Sequence, residues 1–178
     1  MAAATLAAPL EEEKTMTTTS TKAWLDQEDR HVAAMIREHG CFIQLVGGCS
    51  CGGCDEQTTF AYSVGLFGVG HPELLMLGAD PGTAGCVIND VFARVRSGGD
   101  LVPGQLLTFD GWQHRVMVET VPNPGEIVFA ANRHYQRPDE HSVPVFQLTW
   151  DDTEGRFPWD DGYSVPASVQ PRPGDFRA

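Results

Sequence analysis

No stretch of the chain approaches the roughly 18 consecutive apolar residues of a membrane-spanning helix. Basic residues are also scarce. Lys and Arg number 12 against 24 Asp and Glu, a formal charge of −12 over 178 residues. The first absence excludes a helical membrane span. The second argues against general nucleic-acid binding, because an acidic surface gains nothing from releasing phosphate counterions. No Lys or Arg precedes Lys14, and Glu11, Glu12 and Glu13 follow the short Ala/Leu run. That pattern lacks the basic n-region of a secretory signal, so a cytoplasmic location is expected.

Several catalytic signatures are missing as well. There is no H-E-x-x-H zinc-hydrolase spacing. Ser63 has no G-x-S-x-G elbow around it. Gly65, Gly68 and Gly70 spell G-L-F-G-V-G, but no Lys-Ser/Thr follows, so the glycines make no phosphate loop. The apolar share of 42% suffices for one core in a chain of one-domain length.

Three segments are expected. Residues 1–22 read as a disordered or weakly helical arm. Residues 23–164 read as a single folded domain, and the Pro-rich segment 165–178 as an extended tail. Within the domain, Leu25, Val32, Met35 and Ile36 fall on one face of a helix over Thr21–Gly40. Strands follow at Cys41–Val46, Thr58–Leu66 and Leu74–Leu77. A second helix has Asp80 as N-cap and Pro81 in its first turn, and it stops at Gly98-Gly99. Its inward residues are Val87, Ile88, Val91 and Val95, with Cys86 beside them as a small buried apolar group. Gln105–Phe109 and Trp112–Val121 flank Asp110-Gly111, a two-residue hairpin signal in which both central positions accept positive φ. A short helix over Pro124–Gln136 and a strand over Val143–Trp150 complete the series. The order α-β-β-β-α-β-β-α-β favours an α+β fold: a largely antiparallel sheet of about five to six strands with two or three packed helices.

The sharpest chemical feature is C-S-C-G-G-C, with Cys49, Cys51 and Cys54 on a glycine-rich loop. Three thiolates there can converge on a soft metal, Zn(II) or Cu(I), with Cys41, His39, Asp55 or His71 as a fourth ligand. The same thiols can instead be free or redox-responsive. An odd count of five cysteines disfavours structural disulfides.

Four other residues are candidates for proton chemistry. His71 and Glu73 flank Pro72 and can share a proton or a metal. Tyr62 and His134 are the others, His134 within the polar run Asn132–His141. Phe157, Trp159 and Tyr163 either floor a ligand pocket or pin the C-terminal segment.

Two groups of residues resemble a catalogued bacterial family. Phe60-Ala61-Tyr62-Ser63-Val64-Gly65-Leu66, Gly70-His71-Pro72-Glu73 and Asn89 form the first. Gln147-Leu148-Thr149-Trp150, Asp152 and Gly155-Arg156-Phe157-Pro158-Trp159-Asp160 form the second. Both are similar to the uncharacterised domain of unknown function 4262, over roughly residues 24–171. Some relatives carry a C-x-C-x-x-C ahead of the first helix, whereas here that spacing follows it. The resemblance assigns no reaction, substrate or cofactor. It implies that Tyr62, His71, Glu73, Asn89 and the Arg156–Trp159 turn share one structural plan.

Two functional readings follow. In the first, a metal- or thiol-bearing protein has a small-molecule pocket formed by Tyr62, His71, Glu73, His134 and Trp159, and works as a tailoring enzyme or factor. In the second, the domain is a non-enzymatic interaction or regulatory module whose cysteine loop is structural or redox-responsive. An acidic surface favours basic partners. The sequence is compatible with a homodimer and specifies no oligomeric state.

Overall fold

Alternate residues of the central strands sort into two apolar sets, and these become the two faces of one sheet. Ala61, Leu74, Met76, Val116, Val118 and Leu148 form one core with helix residues Ala84, Val87, Ile88, Val91 and Phe92. Phe60, Tyr62, Val64, Leu75, Leu77 and Val145 form the other with Val32, Ala130 and Ala131. The period of two along a strand makes this division automatic once the strands lie side by side.

The computed structural model describes residues 10–47, 58–138 and 140–178. Its elements are α1 (Leu10–His39), β1 (Phe42–Val46), β2 (Phe60–Val64), β3 (Glu73–Leu77), α2 (Pro81–Arg96), β4 (Leu106–Phe109), β5 (Trp112–Thr120), α3 (Phe129–His134) and β6 (Val145–Trp150), with short 3-10 turns at Phe67–Val69 and Pro124–Glu126. The fold is α+β, and the element order is the one read from the sequence. The six strands run β1-β2-β3-β6-β5-β4. All neighbours are antiparallel except β3 and β6, which pair in parallel with Glu73 opposite Val145. The strand that comes last in the chain therefore sits in the middle of the sheet.

Local chemistry sets the helix boundaries. The Asp80 side chain accepts from the Thr83 N–H at 3.0 Å, which caps α2, and Pro81 occupies its first turn. Cys86 is exposed, not buried. The inward stripe is Ala84, Val87, Ile88 and Val91, and Cys86 is turned away from it by the helical pitch. The first helix reaches back to Leu10, ahead of the expected start at Thr21, and ends where the Gly40 N–H donates to the Ile36 carbonyl. The Asp110-Gly111 hairpin forms, with Phe109 opposite Trp112. Among the described residues of that turn only Gly111 has positive φ. Asp110 keeps an ordinary backbone, and the register shifts between Leu107 and Phe109.

The C-terminal segment is bound across the α1/α3 face of the sheet. The Gln170 amide accepts from the Trp150 N–H and donates to the Trp150 carbonyl, both at 2.9 Å. Gln147 donates to the Pro171 carbonyl at 2.9 Å. Phe176 meets Phe60 edge-on. Thus segment 165–178 acts as a strap that covers an otherwise half-open sheet face.

Candidate functional site

Glu73 opens β3 and is fully buried. Its carboxylate accepts from the Ser63 hydroxyl at 2.5 Å and from the backbone N–H groups of Gly65 (2.9 Å), Phe67 (3.0 Å) and Leu66 (3.3 Å). Ser63 Oγ in turn accepts from the Leu74 N–H at 2.8 Å. The turn after β2 leaves several N–H groups without ladder partners, and one carboxylate collects them. Burial pushes the Glu73 carboxyl above its ordinary value, against the pull of these hydrogen bonds. A side chain at Gly65 would place its Cβ 2.6 Å from the Gly40 carbonyl, so the turn also requires glycine there. Cys41 lies close by. Burial, and then the Glu73 charge, push its thiol up to about 12, which leaves it protonated and unreactive at neutral pH.

The other candidates are dispersed. The Tyr62 hydroxyl accepts from the Ala130 N–H at 3.1 Å and so anchors the start of α3. Burial raises its pKa. His71 Nδ1 bonds the Pro72 carbonyl at 2.6 Å, and its ring meets Phe146 edge-on, next to the α2-side core. His134 stands on α3 with its ring edge against Tyr135. Burial pushes its imidazole down, and Asp29 opposes that shift. The Tyr135 hydroxyl accepts from the Gly68 N–H at 3.0 Å over the Glu73 turn. The structure therefore brings His71 and Glu73 onto one turn, with Tyr135 above it. Tyr62 sits on the α1/α3 side of the sheet, and Trp159 lines a different groove. Asn89 is exposed on α2.

The second motif is organised by another buried carboxylate. Asp152 accepts from the N–H groups of Glu154, Arg156 and Ser164, from the Ser164 hydroxyl and from the Arg156 guanidinium. Burial pushes its pKa up, and these bonds outweigh it, so the carboxyl lies well below its ordinary value. Phe157 and Trp159 stack face to face at 4.8 Å. Arg115 lies over Phe157, and Arg172 of the strap lies over Trp159. Arg172 also bonds Glu119 at 2.8 Å, and Glu119 accepts from Thr149 at 2.7 Å. These aromatics pin the C-terminal segment. A groove of about 420 Å³ remains beside Trp159 and Arg172.

Both motifs thus resolve into interlocked turns around buried carboxylates, at the ends of the two central strands of one six-stranded sheet. A family model described as Domain of unknown function (DUF4262) matches residues 35–164. The chain belongs to the DUF4262 family. Comparison with curated proteins and with solved structures finds no match. In this DUF4262 chain the matched stretch ends at residue 164, so it stops where the strap begins.

The largest of the grooves described here lies on none of the residues expected to form a pocket. Phe129, Asn132, Arg133 and Gln136 recur at helical spacing along the outer face of α3 and line a groove of about 550 Å³ with Arg137 and Pro138. The inner face of the same helix carries buried Ala130 and Ala131. Phe129 is 48% exposed. Gln136 holds φ at 50°, the only non-glycine residue with positive φ among the described residues. Its N–H donates to the Arg133 carbonyl while the Arg137 N–H donates to the Asn132 carbonyl. This is a Schellman closure with glutamine in the place glycine usually takes. It folds the chain back and carries Arg137 to the groove. Arg133 bonds Asp29 of α1 at 3.1 Å. Arg137 lies over the Phe67 ring, donates to the His141 carbonyl, and pairs with no carboxylate among the described residues.

The sequence pattern singles out His134 within the polar run Asn132–His141 and a short helix over Pro124–Gln136, but neither of the two arginines nor Phe129 as a ligand-binding residue. Their recurrence at i, i+4 and i+8 was the available signal. Cys49, Cys51 and Cys54 lie outside the described residues. Among the described residues no group of three or more His, Cys, Asp or Glu could hold a metal ion, and no helix is long and apolar enough to cross a membrane.

Proposed function

We propose that this chain binds a small organic anion in the groove along α3. The observation that carries this reading is a pair of guanidinium groups, Arg133 and Arg137, lining one groove with an exposed phenyl ring in a chain whose net charge is −12. Guanidinium forks bind carboxylates and phosphates through paired, charge-assisted hydrogen bonds. The Asn132 and Gln136 amides add donors and acceptors, and Phe129 offers an apolar surface to the rest of the ligand. A volume near 550 Å³ is in the range of small-molecule sites. Titration with 2-naphthoate tests the reading. Arg137→Ala is expected to weaken binding about tenfold or more, with a nearly unchanged thermal midpoint, because its partners are an exposed carbonyl and the face of the Phe67 ring. Binding unaffected by Arg137→Ala and Arg133→Ala together would sink the proposal.

A second reading stays with the cysteine segment. Val46 pairs with Phe60, so the segment carrying Cys49, Cys51 and Cys54 connects two adjacent strands at an edge of the sheet. In this reading the three thiolates bind Zn(II) or Cu(I). Elemental analysis of protein purified without oxygen or chelator is expected to give about one metal per chain, lost in Cys51→Ser. Metal-free protein with five titratable thiols would remove the idea.

A further inference from the structure

We infer that Asp29 sets the charge of the ligand, so that the α3 groove takes a monoanion with a flat apolar body, an aromatic carboxylate, in preference to a phosphate monoester. This rests on the α3 groove being the binding site. The groove's own lining supplies two positive charges, Arg133 and Arg137. Asp29, on the neighbouring helix α1, contacts Arg133 at 3.1 Å and cancels one of them. His134 adds none at neutral pH, since burial favours its neutral form. Glu126, next to groove residue Gly125, is itself paired with Arg177. The balance at the arginine pair is one positive charge, matched by a carboxylate. A phosphate monoester carries close to two negative charges at pH 7, so part of its charge would stand unmatched beside Asp29.

Shape points the same way. Arg137 lies over the Phe67 ring with Nε committed to the His141 carbonyl, which leaves its terminal N–H groups for a planar acceptor. Phe129 exposes its ring to the same groove and suits an aryl group. Both Asp29 and Arg133 are more than one-third exposed. An incoming anion can therefore reach Arg133 without unpacking α1, whose buried anchor is Val32.

The test is calorimetric titration of the full chain with 2-naphthoate and 2-naphthyl phosphate, on the wild type, Asp29→Asn and Asp29→Glu. The wild type is expected to bind the carboxylate more tightly. Asp29→Asn is expected to gain about two- to fivefold for the phosphate, the scale of one half-exposed charge contact, and to gain less for the carboxylate. Asp29→Glu keeps the charge and should keep the wild-type order. Tighter binding of the phosphate by the wild type overturns the inference without recourse to any variant, as does an unchanged ratio in Asp29→Asn. If neither probe binds the wild type or Asp29→Asn, it is the α3 site itself that falls.

Discussion

Glu73→Ala is expected to destabilise the domain by about 3–5 kcal/mol, among the largest effects of any single substitution here. The carboxylate is the shared acceptor for Ser63 and for three N–H groups of the turn after β2. Each buried donor left without a partner costs about 1–3 kcal/mol, and entry of water recovers part of that. In a domain of this size such a loss lowers the thermal midpoint by roughly 10 °C. The check is chemical and thermal unfolding followed by circular dichroism. A wild-type midpoint would show that the turn needs no central acceptor.

The same residue gives a pH dependence with a definite sign. Burial raises its pKa in the folded chain above the unfolded value. Between those two values the native state binds more protons than the unfolded state, so this group's contribution falls as pH rises through the window. The window opens at the ordinary glutamate value and runs upward. Glu73→Gln should flatten that slope while lowering stability less than Glu73→Ala, since one acceptor oxygen remains. A slope of unchanged steepness in Glu73→Gln would assign it to another group.

Gly78→Ala is the second large effect. Gly78 has φ of +72°, and a Cβ there would overlap the Val169 carbonyl of the strap. The left-handed backbone alone costs about 1–2 kcal/mol for alanine. The overlap also pushes the strap away from the sheet, loosening the Gln170–Trp150 and Gln147–Pro171 hydrogen bonds. A total near 2–4 kcal/mol is expected. Limited proteolysis separates the two components. The variant should be cut within 165–178 well before the wild type, while the sheet stays protected. Equal protection of the strap in both proteins would mean that the backbone absorbs the methyl group without releasing it.

The residue pattern alone carried the α+β class, the element order, the N-cap at Asp80 and the hairpin at Asp110-Gly111. All of these depend on contacts within a few residues, and local sequence encodes such contacts directly. The motif residues Glu73 and Asp152 were visible too, but not their roles. A carboxylate beside a turn reads equally as a proton carrier or as an acceptor for stranded N–H groups. Only the distances to Ser63, Gly65 and Phe67 for Glu73, and to Glu154, Arg156 and Ser164 for Asp152, decide between the two. The central place of β6, parallel to β3, was also beyond the sequence, because strand order reflects which apolar faces meet after collapse. The separation of Tyr62 from His71 follows from that sheet, since it puts them on opposite sides. The α3 groove lies between these extremes. Its spacing from Phe129 to Arg137 is written in the chain, but the outward face of a six-residue helix means nothing until packing shows which face is buried. The backward turn at Gln136 and the contact from Asp29, far away in sequence, exist only in the folded state. Tertiary structure alone brings those charges within 3.1 Å of each other.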